Sequence, residues 1–215
     1  MNQNKRIAAL SLLVLVGGFL LYKAFFVSSA ISADNRSTKD NTASYMVLES
    51  QKIIVGKDID PGYYDIKALE NESDFFGDKM HKDTVLHAMP LKINENFSIK
   101  GKFEFKPSEF EKVERKNQKL IIKNPGYYVV GAEIQEGDYV LARTSDTIRM
   151  FVDIKDKTET ESLQTIQWEI DEDVKEPNEL KLKKGYSVYI DKTEKYGYIS
   201  NGDDLILERN NEDSD

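Results

Sequence analysis

Residues 55 to 66 read V-G-K-D-I-D-P-G-Y-Y-D-I, and residues 130 to 141 read V-G-A-E-I-Q-E-G-D-Y-V-L. The two stretches lie 75 positions apart and agree in order at Val55 and Val130, Gly56 and Gly131, Asp58 and Glu133, Ile59 and Ile134, Gly62 and Gly137, and Tyr64 and Tyr139. Ile66 answers Leu141 as a seventh position. Agreement this dense over twelve residues marks an internal repeat, and a repeat governs every later reading of the fold.

Working outward, the second parts of the repeats answer each other more loosely. Phe97 to Gly101, followed by Phe103 and Phe105, resembles Leu180 to Gly185, followed by Tyr186, Val188 and Tyr189. Leu120-Ile121-Ile122 is echoed by Leu205-Ile206-Leu207. Two units follow, a β module at 50–124 and a second at 125–208. Each consists of short alternating or β-branched runs divided by turn residues, the pattern of strands rather than helices. Pro61 presets φ and Gly62 accepts positive φ in the D-I-D-P-G connection, with Gly137 in the same role in the second unit. The one candidate for a helical turn is Ser108 to Arg115. The expected fold class is therefore all-β, two tandem related modules of sandwich or barrel type behind an N-terminal transmembrane helix.

The pattern V-G-x-D/E-I-x-x-G-x-Y-x-I/L, followed by a strand ending in K-G-x-Y/F, resembles a small β module of exported Gram-positive bacterial surface proteins, often found in tandem. The resemblance covers most of both units, its specific part being about a dozen residues in each. It implies a compact all-β binding module and brings no catalytic residues with it. Against that pattern, Phe75 to Leu91 reads as an insertion in the first unit and Glu169 to Glu179 as an acidic insertion in the second.

Ahead of the repeats, Lys5 and Arg6 precede an apolar stretch from Ile7 to Val27 interrupted by charge only at Lys23. At 1.5 Å per residue its 21 residues span roughly 31 Å, the hydrocarbon thickness of a bilayer. Lys23 sits near the far end, where its stem can snorkel to the interface. Residues 1–27 thus read as a signal anchor, and positive charge before the span keeps the N-terminus in the cytoplasm and places the rest of the chain outside. Ser28-Ser29-Ala30 also offers the small residues of a cleavage site, so anchored and secreted forms both stay open. Residues 28–49 read as a flexible linker, since Ser32 to about Ser44 carry almost nothing apolar, and the polar residues 209–215 read as a disordered tail.

Composition narrows the function classes. The chain of 215 residues has 30 basic and 38 acidic side chains, a formal charge of −8, and no cysteine. Its acidity argues against a nucleic-acid partner. The lack of cysteine removes disulfides, thiolate nucleophiles and cysteine metal sites at once. Asp74, Asp78, His81, Asp83 and His87 fall within 14 residues and hold both histidines, but in no established metal spacing. The acidic run at 169–179 beside Trp168 lacks the spaced ligands and turn glycine of an EF-hand loop. No G-x-S-x-G, P-loop or H-E-x-x-H arrangement occurs. The expectation is a non-enzymatic protein without cofactor or metal, with the membrane and a protein or cell-wall component as partners. An accessory subunit of a secretion, envelope-assembly or signalling complex is the alternative. The sequence is silent on ligand identity and oligomeric state.

Overall fold

A computed structural model describes residues 36, 38–117, 119–144, 146–156, 161–170, 178–202 and 204–209. The predicted membrane anchor lies outside the described residues, among which no helix is long and apolar enough to cross a membrane. The described part is all-β. In chain order the strands are β1 (Met46–Ile54), β2 (Gly62–Ala68), β3 (Ser73–Phe75), β4 (Asp78–Met80), β5 (Val85–Leu91), β6 (Asn96–Pro107), β7 (Glu114–Lys116) and β8 (Lys119–Ile122). They continue as β9 (Gly126–Val129), β10 (Gly137–Arg143), β11 (Ile148–Lys155), β12 (Ser162–Trp168), β13 (Asn178–Leu182), β14 (Ser187–Glu194), β15 (Tyr198–Ile199) and β16 (Leu205–Arg209).

The larger sheet runs β12-β11-β14-β15-β4-β3-β6-β2-β5-β9, with β1 added on β6. Because β9 also pairs with β14, the path from β14 round to β9 closes on itself as a barrel, which leaves no open edge along that circuit. A second sheet runs β13-β10-β16-β8-β7. Alternation along the strands builds two apolar clusters. One gathers Ile53, Tyr64, Ile66, Phe75, Phe103 and Phe105; the other gathers Tyr139, Leu141, Met150, Trp168, Leu180 and Leu207. They are interlocked, since Ile199 of β15 is buried in the first cluster although it lies far along the second half of the chain.

The repeat is a turn with one architecture in both places. Val55 bridges Ile59 and Val130 bridges Ile134, while the Gly56 and Gly131 N–H groups donate to the Ile59 and Ile134 carbonyls at 2.7 Å in each case. The repeated acid caps the turn: the Ile54 N–H donates to Asp58 Oδ2 and the Val129 N–H to Glu133 Oε2, both at 2.9 Å. The repeated tyrosine closes it, the buried Tyr64 and Tyr139 hydroxyls donating to the Asp60 and Gln135 carbonyls at 2.8 Å. Each motif position therefore satisfies a polar group or fills core space that would otherwise cost stability.

Several expectations need correction. The looser correspondence is shifted: Gly62 pairs with Leu91 and Gly137 with Leu182, so Leu91 to Ile99 answers Leu182 to Ile190, not Phe97 to Gly101 against Leu180 to Gly185. Phe75 to Leu91 is no insertion, because it forms β3, β4 and β5, the counterparts of β11, β12 and β13. Two of those strands are only three residues long, too short for alternation to register. Residues 108–113 are irregular and 114–116 are strand, so the expected helical turn is absent. The 50–124 and 125–208 boundary cuts across packing, since Leu120 and Ile122 of β8 belong to the second cluster. The linker expected at 28–49 is already ordered by Asn41, which bonds both the Tyr63 N–H and the Tyr63 carbonyl, and β1 starts at Met46. Arg209, placed in the tail, closes β16; the rest of that tail lies outside the described residues.

Candidate functional site

The densest group of buried charge forms where β5 meets β9. These strands run parallel, with His87 opposite Gly126, and the His87 N–H donates to the Pro125 carbonyl at 2.8 Å. A β carbon on Gly126 would sit 2.1 Å from the His87 carbonyl oxygen, so only glycine permits this approach. On the other side of β5 the register with β2 slips between Tyr64 and Ile66, and Ala88 adopts a φ of 48°. That irregularity turns the Ala88 N–H onto Asp65 Oδ1 at 2.9 Å.

The His87 ring is held at both nitrogens, Nδ1 lying 2.9 Å from Asp65 Oδ1 and Nε2 2.6 Å from Glu133 Oε1. It stacks on Tyr128 at 4.5 Å. The second oxygen of Glu133 meets Arg36 at 2.7 Å, with the two side chains 0% and 3% exposed. Arg36 also donates to the Tyr127 carbonyl at 3.0 Å and lies over the Tyr63 ring. Two cations and two carboxylates thus neutralise one another, which is what allows them to be buried.

Burial opposes charge on His87, but its hydrogen bonds to Asp65 and Glu133 outweigh this and push its pKa up to about 9. Burial likewise works against the Asp65 carboxylate, and His87 again prevails and lowers its pKa. The folded value for His87 lies above its ordinary 6.5, so the stabilisation is complete below that pH and is lost as pH rises through about 9. Urea midpoints should therefore fall between about pH 6.5 and 9.5 in the parent and stay flatter in His87→Gln. Parallel pH profiles for the two would sink the assignment.

Beside this cluster opens a cleft of about 340 Å³, with Asp65, His87 and Tyr128 on one side and Phe110, Lys112 and Lys123 among its other walls. It displays apolar rings and both signs of charge.

The structure scatters the candidate loop. Asp74 accepts the Gly77 N–H at 2.7 Å, Asp83 pairs with Lys67 at 2.7 Å, and His81 stacks on Tyr198 at 4.2 Å and meets Glu194 at 3.3 Å. Burial raises the Asp78 carboxyl, helped by Asp191 and Asp74. Only His87 enters the buried cluster. Among the described residues no group of three or more His, Asp or Glu side chains is placed to hold a metal ion. Most of the acidic 169–179 stretch lies outside the described residues. Of the paired tyrosines, Tyr64 and Tyr128 turn inward while Tyr63 and Tyr127 are half-buried.

Arg36, Asp65 and Glu133 are absent from the sequence-level candidates for a charge cluster. The one available signal was the repeat itself: Asp58 has a lysine before it and is exposed, whereas Glu133 follows Ala132 and is buried. The extra methylene lets Glu133 cap Val129 and still reach His87 and Arg36.

The twelve repeat-turn residues are placed as equivalent pairs, yet the two glycines differ in surroundings. Gly62 has a φ of 155°, and a β carbon there would meet the Ala43 nitrogen at 2.7 Å. At Gly137, φ 150°, the nearest contact would be the Arg209 side chain at 3.4 Å, which can move. Gly137→Val should cost about 1–3 kcal/mol of backbone strain and Gly62→Val distinctly more. Equal urea midpoints for the two variants would contradict this.

No known protein family, curated protein or solved structure matches the chain.

Proposed function

We propose that the chain is a membrane-anchored, extracytoplasmic binding protein of a Gram-positive cell surface, with two tandem β modules and no chemistry of its own. The observation that carries this reading is the state of His87 beside the cleft. With both ring nitrogens engaged by carboxylates and a pKa of about 9, it is an imidazolium at neutral pH and has no lone pair to act as a general base. The cleft offers charge, hydrogen bonds and aromatic faces, which suit recognition of a protein segment or a wall component. Arg36 is locked into the same seam through Glu133.

Protease added to intact, wall-stripped cells should degrade the region after Val27; a protected full-length chain would overturn the topology. Because the chain has no cysteine, Lys112→Cys carrying a photo-crosslinker can then probe the cleft on such cells. It should yield a heavier adduct that the same label at Lys52 does not. Equal labelling at both sites would refute the cleft as the binding surface. Replacing residues 1–27 with an unrelated anchor should leave that adduct in place, whereas its loss would show that the span itself is the contact.

A further inference from the structure

The two halves differ at one pair of equivalent edges. Phe75 of β3 pairs with Ile99 of β6, and Val152 of β11 pairs with Ile190 of β14, the counterpart of Ile99. One strand further out, Phe75 pairs with Asp78 of β4 and Val152 with Ile166 of β12. Lys79 and Met80 therefore correspond to Gln167 and Trp168. In the first half the outer edge of β4 is occupied: Tyr198 and Ile199 of β15 run parallel to it, opposite Lys79 and Met80. Ile199 is 6% exposed there, and Asn201 continues the cover by bonding the Val85 N–H and the Asp83 carbonyl. In the second half, among the described residues, β12 pairs with β11 alone, and the span to β13 is bridged by the Gln164 side chain on the Glu179 carbonyl at 3.0 Å.

Among the described residues this edge lacks the usual protection. Residues 162–168 contain no charge, proline or glycine, and Leu163 is 52% exposed. The irregularity in its pairing falls at Leu163, leaving Gln164 to Trp168 regular. By contrast β1, which among the described residues pairs with β6 alone, carries Glu49, Lys52 and a register shift at its middle. We infer that the outer edge of β12 receives an extended, basic peptide segment of a partner protein, lying parallel to β12 past Gln167 and Trp168 as β15 lies on β4. Strand addition of this kind takes its affinity from main-chain hydrogen bonds.

The surrounding charge selects the occupant. Glu161 and Glu169 bracket the strand and Glu179 lies across from it. A second copy pairing antiparallel about Thr165 would set Glu161 against Glu169 at both ends, a like-charge opposition that disfavours it. A segment bearing lysine or arginine meets no such penalty.

The test uses the full-length chain in detergent micelles and a synthetic peptide copying residues 195–202 with one added N-terminal lysine. Amide exchange within 162–168 should slow about tenfold on adding the peptide. A charge-reversed peptide with glutamates for both lysines should bind about tenfold more weakly, and the exposed substitution Thr165→Lys should abolish protection. No protection of 162–168, or protection confined to the cleft at His87, would overturn the inference. Protection that grows with chain concentration without peptide would overturn it in favour of a second copy. The site is separate from the cleft, so its failure leaves the cross-linking result at Lys112 to stand or fall alone.

Discussion

Replacing Glu133 with glutamine should destabilise the fold by about 3–5 kcal/mol, the range for removing one partner of a buried ion pair. The carboxylate is fully buried and its two oxygens are shared among Arg36, His87 and the Val129 N–H. An amide retains one acceptor and turns an NH2 group toward either the guanidinium or the imidazolium, so a donor faces a cation and the neutral balance is lost. Asp58→Asn tests the same motif position where the acid is exposed and caps a single N–H. Its cost should stay well below about 1 kcal/mol, because the amide oxygen still accepts the Ile54 N–H. Urea denaturation measures both, and comparable losses would show that Glu133 acts as a cap alone.

Gly126→Ala should lower stability by roughly 3 kcal/mol or more, beyond the usual cost of a strained φ. At φ 135° the added carbon would meet the His87 oxygen at 2.1 Å and the His87 nitrogen at 2.6 Å, and both belong to backbone that cannot rotate away. Separating β9 from β5 would also loosen the Asp65–His87–Glu133 bridge, so the variant should lose part of the parent's dependence on pH above 7. Parent and variant should each melt in one transition, because Ile199 is buried in the first cluster and β14, β9 and β5 form one continuous path. Two separated transitions in the parent would show that the halves are coupled only weakly.

The reach of sequence reasoning follows from the range of the forces involved. The repeat and the strand character are legible at 55–66 and 130–141 because they arise within a dozen residues: a bridge, a capping acid, glycines at positive φ and a tyrosine bonded four residues back. Local chemistry of that kind is written in local order. The strands β3 and β4 escape a sequence pattern because three residues cannot display a period of two, and β8 joins the second half, across the repeat boundary, because its partner β16 lies some 85 residues on. The buried cluster depended wholly on tertiary structure. Arg36, Asp65, His87 and Glu133 are dispersed over nearly a hundred positions, and each taken alone is an ordinary polar residue in a polar chain. What brings them together is barrel closure, which sets β5 against β9 and places two cations and two carboxylates within reach of one another beside the cleft.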